Sequence, residues 1–155
     1  MAYLVLHHDL ISIFKIGKTK ERIKTTLGNL HAYEEQNLVF SITDQQFDEL
    51  NLATKQFQSV SNNSVVLQDR TVHPLMYPDT EDKLNSTING IIESINRTLQ
   101  NGNFSNEANF KTELENYKAF LENFDTSTVP LPMTSTVEKY LADNSLITPI
   151  NPLQF

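Results

Sequence analysis

The 155-residue sequence has no cysteine, no tryptophan and only four glycines. Without cysteine, disulfide frameworks, thiolate zinc sites and cysteine nucleophiles are all excluded. No apolar run approaches the ~20 residues that a membrane-spanning helix needs. Asp9 and Lys15 interrupt the N-terminal apolar stretch too early for a secretory leader. Basic residues are also scarce: twelve Lys plus Arg stand against nineteen Asp plus Glu, for a net charge of −7. That balance argues against a general nucleic-acid-coating role, whose electrostatic footprint is basic. The apolar share of 39% supports a modest core and lies below that of a typical compact enzyme.

What is abundant is asparagine, with sixteen residues. Such an excess beside Ile and Lys is what an AT-rich genome produces. The Asn-x-Ser/Thr triplets at Asn62, Asn85 and Asn96 follow from it and read as chance matches.

Residues 3–7 and 10–16 are short, β-branched and aromatic-rich segments separated by His8-Asp9, and they predict a hairpin. Gly17 ends the second strand. Residues 18–33 fit either a helix or a further strand pair, and Thr25-Thr26 before Gly28-Asn29 favours the strands. Residues 37–42 predict another strand. Thr43 or Asp44 then caps a short helix whose buried side carries Phe47 and Leu50. Residues 57–61 and 64–68 flank Asn62-Asn63, a pair that tolerates positive φ, and so predict a second hairpin. Residues 72–79, with Pro74 and Pro78, read as a linker.

The second half changes period. Leu84, Ile88, Ile91, Ile95 and Leu99 recur at steps of three and four, as do Phe110, Leu114, Tyr117, Leu121 and Phe124 after a polar turn at 101–106. These are two stripes of an antiparallel helical hairpin, capped by Asp79 or Thr80, with Gly102 placed for a left-handed helix end. The stripes suit packing on each other and on the sheet, or an interface with other chains. Beyond Asp125 the chain is extended through Val129-Pro130-Leu131-Pro132. Ser135 and Glu138 have capping-box spacing for a short helix through Tyr140. The last stretch, 147–155, alternates Pro149 and Pro152 with large apolar residues, which rules out a helix and disfavours a central strand. A tail of this composition predicts docking, either in a groove of its own domain or, as the favoured expectation, on a neighbouring chain.

The expected fold class is therefore α+β. A β-rich platform covers 1–72, a linker and helical hairpin 73–125, and an extended arm with a short helix 126–155.

Candidate chemistry is sparse. Tyr3-Leu4-Val5, Phe14-Lys15-Ile16-Gly17 and Arg22 resemble a degraded GIY-YIG nuclease core. In that family a hairpin presents two aromatic-rich motifs, the next helix supplies an Arg, and a later Glu binds a divalent metal; Glu93 is the Glu this resemblance implies. The leading Gly is absent and Lys15 replaces the usual Tyr. Gly17-Lys18-Thr19 lacks the first Gly of a phosphate-binding loop, which would fall at Ser12. His7 and His8, adjacent on a strand, point to opposite faces and do not share an ion. Lys15, Lys18, Lys20, Arg22 and Lys24 make the first thirty residues about +3 and leave the remainder about −10. That polarity suits contact with an acidic partner or with another copy, or else a strand edge guarded by Lys. No catalytic, metal or cofactor site follows.

A second resemblance covers residues 40–155. Ile42-Thr43-Asp44-Gln45-Gln46-Phe47-Asp48-Glu49-Leu50 resembles the opening of phage tail-fibre assembly proteins. Tyr117-Lys118-Ala119-Phe120-Leu121, Asp125 and Pro130-Leu131-Pro132 are similar to their C-terminal segment. Asn151-Pro152-Leu153-Gln154-Phe155 looks like the tails of small virion proteins of marine phages. The aromatic residue expected before Pro130 is missing, and the first forty residues have no counterpart. The resemblance implies a non-enzymatic structural protein of a tailed-phage virion, in the tail or fibre attachment, present in several copies. Its partners would be other tail or fibre chains, without membrane or nucleic acid. A tail-fibre assembly chaperone and a GIY-YIG-like metal-dependent nuclease are the alternatives. Interface residues expected on this reading are Pro130, Leu131, Pro132, Tyr140, Ile150, Pro152, Leu153 and Phe155.

Overall fold

The computed structural model describes residues 1–71 and 77–155, so most of the linker expected at 72–79 lies outside the described residues. The α+β class is observed. Strands β1 (Ala2–Leu6) and β2 (Ile13–Gly17) form the expected antiparallel hairpin, with Tyr3 opposite Gly17 and Val5 opposite Lys15. On its other side β1 pairs antiparallel with β3 (Val39–Ile42), which gives the sheet order β2-β1-β3.

Residues 18–33 correct the strand expectation, because they form two short helices, α1 (Lys20–Thr26) and α2 (Leu30–Glu35). The Thr19 hydroxyl accepts from the Arg22 amide at 3.1 Å and so starts α1. Ile23 and Leu30 then share one face and bury against Val5 of the sheet. Gly28-Asn29 merely separates the helices. α1 lies so close to β2 that a Cβ on Gly17 would meet Ile23 Cγ1 at 2.6 Å, so a side chain there would force the two apart.

Helix α3 (Asp44–Asn51) opens on a reciprocal capping box. The Gln46 amide donates to the Thr43 hydroxyl and the Thr43 amide donates to Gln46 Oε1, each at 3.0 Å. Phe47 and Leu50 join Leu4, Leu6 and Ile16 in a core on the other face of the sheet. The second hairpin, β4 (Lys55–Ser61) and β5 (Ser64–Asp69), turns at Asn62 and Asn63, both at positive φ (51° and 61°).

Helices α4 (Glu81–Asn101) and α5 (Ala108–Glu122) form the helical hairpin. Leu84, Ile88, Ile91 and Ile95 pack against Phe110, Leu114, Tyr117 and Leu121 within one chain, and Thr80 is the N-cap. Gly102 is a correction: its φ of −75° is not left-handed. Glycine is needed there for space, since a Cβ would lie 2.7 Å from the Phe104 ring and 2.8 Å from the Thr98 carbonyl oxygen.

Helix α6 (Val137–Asp143) is capped by Thr136 and not by Ser135. The Thr136 hydroxyl accepts from the Lys139 amide at 3.1 Å and donates to the Leu52 carbonyl at 3.0 Å, so a tertiary contact selects between two adjacent hydroxyls. Val129, Met133, Val137, Leu141 and Ile150 all enter the helical core. The C-terminal stretch therefore packs on its own chain, which corrects the expectation of an arm laid on a neighbour. It ends in a 3₁₀ turn, Pro152–Gln154.

Candidate functional site

The three-stranded sheet has two outer edges, and the chain treats them differently. The terminal 3₁₀ turn packs against β2. Leu153 joins the β-sheet core while Phe155 packs on the helical core, so three residues join both halves of the molecule. Asn51, at the end of α3, anchors this turn. Its Nδ2 donates to the Pro149 carbonyl (3.2 Å), and its Oδ1 accepts from the Asn151 amide (3.1 Å) and from Gln154 Nε2. Asn151 Nδ2 in turn donates to the Asn51 carbonyl at 2.9 Å. Asn51 and Gln154 are both buried. With the polar groups satisfied in this way, the apolar flanks seal without leaving unpaired amides.

The β3 edge pairs with no further strand among the described residues, although β5 packs beside it. The Leu6 amide donates to the Leu38 carbonyl at 2.9 Å, and the register places Leu4 opposite Phe40. Antiparallel alternation then turns the N–H and C=O of Val39 and Ser41 away from β1, toward the outer edge. Outside that edge lies a cleft of about 1100 Å³, bounded on its far side by Gln58, Ser59 and Val60 of β4. Leu10 and Ile11, at the tip of the β1–β2 loop, stand at its rim and are 53% and 75% exposed. Leu10 sits at φ 61°, and its amide donates to the His7 carbonyl at 2.9 Å. A branched residue is unfavourable in that left-handed region, so the turn holds two apolar side chains outward at a conformational cost.

Polar groups line the same cleft. Lys20 Nζ lies 3.0 Å from Glu34 Oε2 and 5.3 Å from the centre of the Tyr3 ring. His8 Nδ1 donates to Gln36 Oε1 at 2.8 Å, and its ring stacks on Tyr33. These contacts pair the charge within the cleft. The β3 backbone and the side chains of Ser41, Gln58, Ser59 and Asn63 supply further hydrogen-bonding groups around it.

The residues singled out from sequence fall into three groups. Pro130, Leu131, Pro132 and Pro152 are exposed. Tyr140, Leu153 and Phe155 are half-buried against their own cores, and Ile150 is buried. They do not form one surface. The β1–β2 hairpin and α1 do bring both GIY-YIG-like motifs beside the helix that carries Arg22, as that resemblance implies. Arg22, however, forms a two-pronged pair with Glu113 (2.9 Å on each prong), lies 3.8 Å from Glu107, and stacks over Phe110. Glu93 is an exposed residue of α4. Among the described residues, no three His, Asp or Glu side chains are grouped to hold a metal ion. Most of the basic run is used internally: Lys24 pairs with Glu21, Lys20 with Glu34, Lys18 lies over the Phe47 ring, and Lys15 is buried.

Two sites were missed from sequence. Asn51 gave no signal, because its partners lie about a hundred residues away. The cleft gave none because it depends on strand order. The segment 37–42 does contain a clue, since an edge strand without Lys or Pro lacks the usual guards against pairing.

No family model matches the sequence, and neither the curated proteins nor the solved structures include a match.

Proposed function

We propose that this protein is a non-enzymatic structural component of a tailed-phage particle, in the tail or its fibre attachment, and that it acts through contacts at the β3 edge. The occupant of that edge is an extended segment of another tail or fibre chain. The observation that carries this reading is the unguarded edge itself. It presents the backbone groups of Val39 and Ser41 to a cleft of about 1100 Å³, with Leu10 and Ile11 exposed among its lining residues. Strand addition draws its affinity from main-chain hydrogen bonds and its selectivity from the pockets that receive alternate side chains.

The phage context rests on the resemblance of residues 42–50, 117–121, 125 and 130–132 to tail-fibre assembly proteins, and of 151–155 to the tails of small virion proteins of marine phages. The engagement of Arg22 by Glu113 and Glu107 gives the nuclease alternative less support, because the Arg it requires is already neutralised.

Quantitative mass spectrometry of purified particles tests the proposal. The expected result is a fixed copy number, a multiple of three or six, relative to the portal protein. Absence from finished particles overturns it in favour of a transient assembly chaperone.

A further inference from the structure

A second, smaller cavity lies at the seam between the sheet and the helical hairpin, away from the cleft. Its volume is about 240 Å³, room for roughly eight waters at ~30 Å³ each. Lys15 of β2 lines it and is only 9% exposed. Among the described residues its ammonium has no carboxylate within 4.0 Å, and burial lowers its pKa to about 8, so at neutral pH it remains mostly charged. A charged ammonium buried without a counterion is an unfavourable arrangement that native structures normally relieve with a partner.

A second cation, exposed to solvent, lines the same cavity. Arg97 of α4, at the mouth, donates to Ser94 Oγ at 3.1 Å and has no carboxylate partner among the described residues. Thr26 at the end of α1, together with Thr98 and Asn101 of α4, adds hydroxyl and amide groups around the space. No acidic side chain lines it.

We propose that this cavity binds a small oxyanion of the phosphate class, held by Lys15 and Arg97 with further donors from the Thr98 hydroxyl and the Asn101 amide. Two cations lining one cavity together with neutral polar groups suit a tetrahedral acceptor with several oxygens, since charge-assisted hydrogen bonds can form on more than one of them. Because the walls come from β2, α1, α4 and the terminal turn, the anion also ties the sheet to the helical hairpin. Free phosphate and the phosphomonoester of a small molecule share this chemistry. The site is independent of the β3 edge and stands whether or not the protein resides in a particle.

The test is thermal unfolding and NMR titration of the full chain with sodium phosphate, with phosphoserine in a parallel arm, against sodium chloride at matched ionic strength. Saturating phosphate is expected to raise the melting temperature by about 2–5 °C and to shift the Lys15 side-chain resonances. The tighter of the two ligands identifies the source. Lys15→Met keeps the buried stem, removes the charge, and is expected to melt higher than wild type while losing the phosphate response. Arg97→Gln, at an exposed position, is expected to weaken binding about tenfold. An equal response to chloride overturns the proposal, as does a phosphate response that survives in Lys15→Met or an absence of binding by either ligand.

Discussion

The two edges of one small sheet meet opposite fates. The β2 edge contains Lys15, the kind of residue that guards an open edge, yet the chain folds its own C-terminal turn over it. The β3 edge contains neither Lys nor Pro and is left facing a large cleft. Closing an edge requires something that satisfies its surroundings, and the Asn51–Asn151–Gln154 network supplies that on one side only. The contrast teaches that local sequence does not reveal which edge is available for contact. That is decided by which distant segment returns to cover it.

Breaking the closed edge has the largest effect. Removing residues 146–155 takes Ile150 out of the helical core, Leu153 out of the β-sheet core, and the partners away from Asn51. The loss exceeds about 5 kcal/mol, comparable with the whole stability of a small domain, so cooperative unfolding in urea should disappear. Asn51→Ala leaves the Pro149 carbonyl, the Asn151 amide and the Gln154 side chain without their partner, and should cost about 3 kcal/mol in the same assay.

Lys15 sharpens the comparison through pH. Its folded-state pKa of about 8 lies below the ordinary 10.5, so the unfolded chain binds more protons between those values. The penalty is complete below pH 8 and is relieved as pH rises to about 10.5, a gain of at most about 3 kcal/mol. Arg97 is the other charged side chain at that cavity. The difference between wild type and Lys15→Met, measured by urea melts in chloride buffer, should shrink toward zero over this window. Arg22→Ala, which removes the two-pronged pair with Glu113 and the stacking on Phe110, should cost about 1–2 kcal/mol. A nuclease role would instead show in that variant as lost cleavage without lost stability.

Much of the fold was legible because it is encoded locally. The stripes of α4 and α5 repeat every three to four residues, Asn62-Asn63 suits the positive φ of a tight hairpin, and Thr43 is one of the two expected caps of α3. Where two local solutions compete, tertiary contacts decide. Gly28-Asn29 could have turned a hairpin, but burial of Ile23 and Leu30 on Val5 favours helices. Ser135 and Thr136 could each cap α6, and the Leu52 carbonyl selects Thr136. The apolar tail announced that it must dock but carried no sign of where, since Asn51 lies far away in sequence. The candidate site was the least legible feature: an open edge is a property of strand order, and the eight residues chosen from the tail are dispersed between core and surface.

Ser41→Pro gives the smallest effect on stability and the most direct test. Ser41 is exposed and its N–H faces outward, so proline removes one edge donor with a stability change within about 1 kcal/mol. The decisive measurement is the copy number of wild type and Ser41→Pro in purified particles, by quantitative mass spectrometry, after melting curves confirm that both are folded. The account predicts a fixed wild-type copy number and at least about a tenfold loss for the variant. Equal incorporation of both chains, or absence of the wild type from particles, would contradict it.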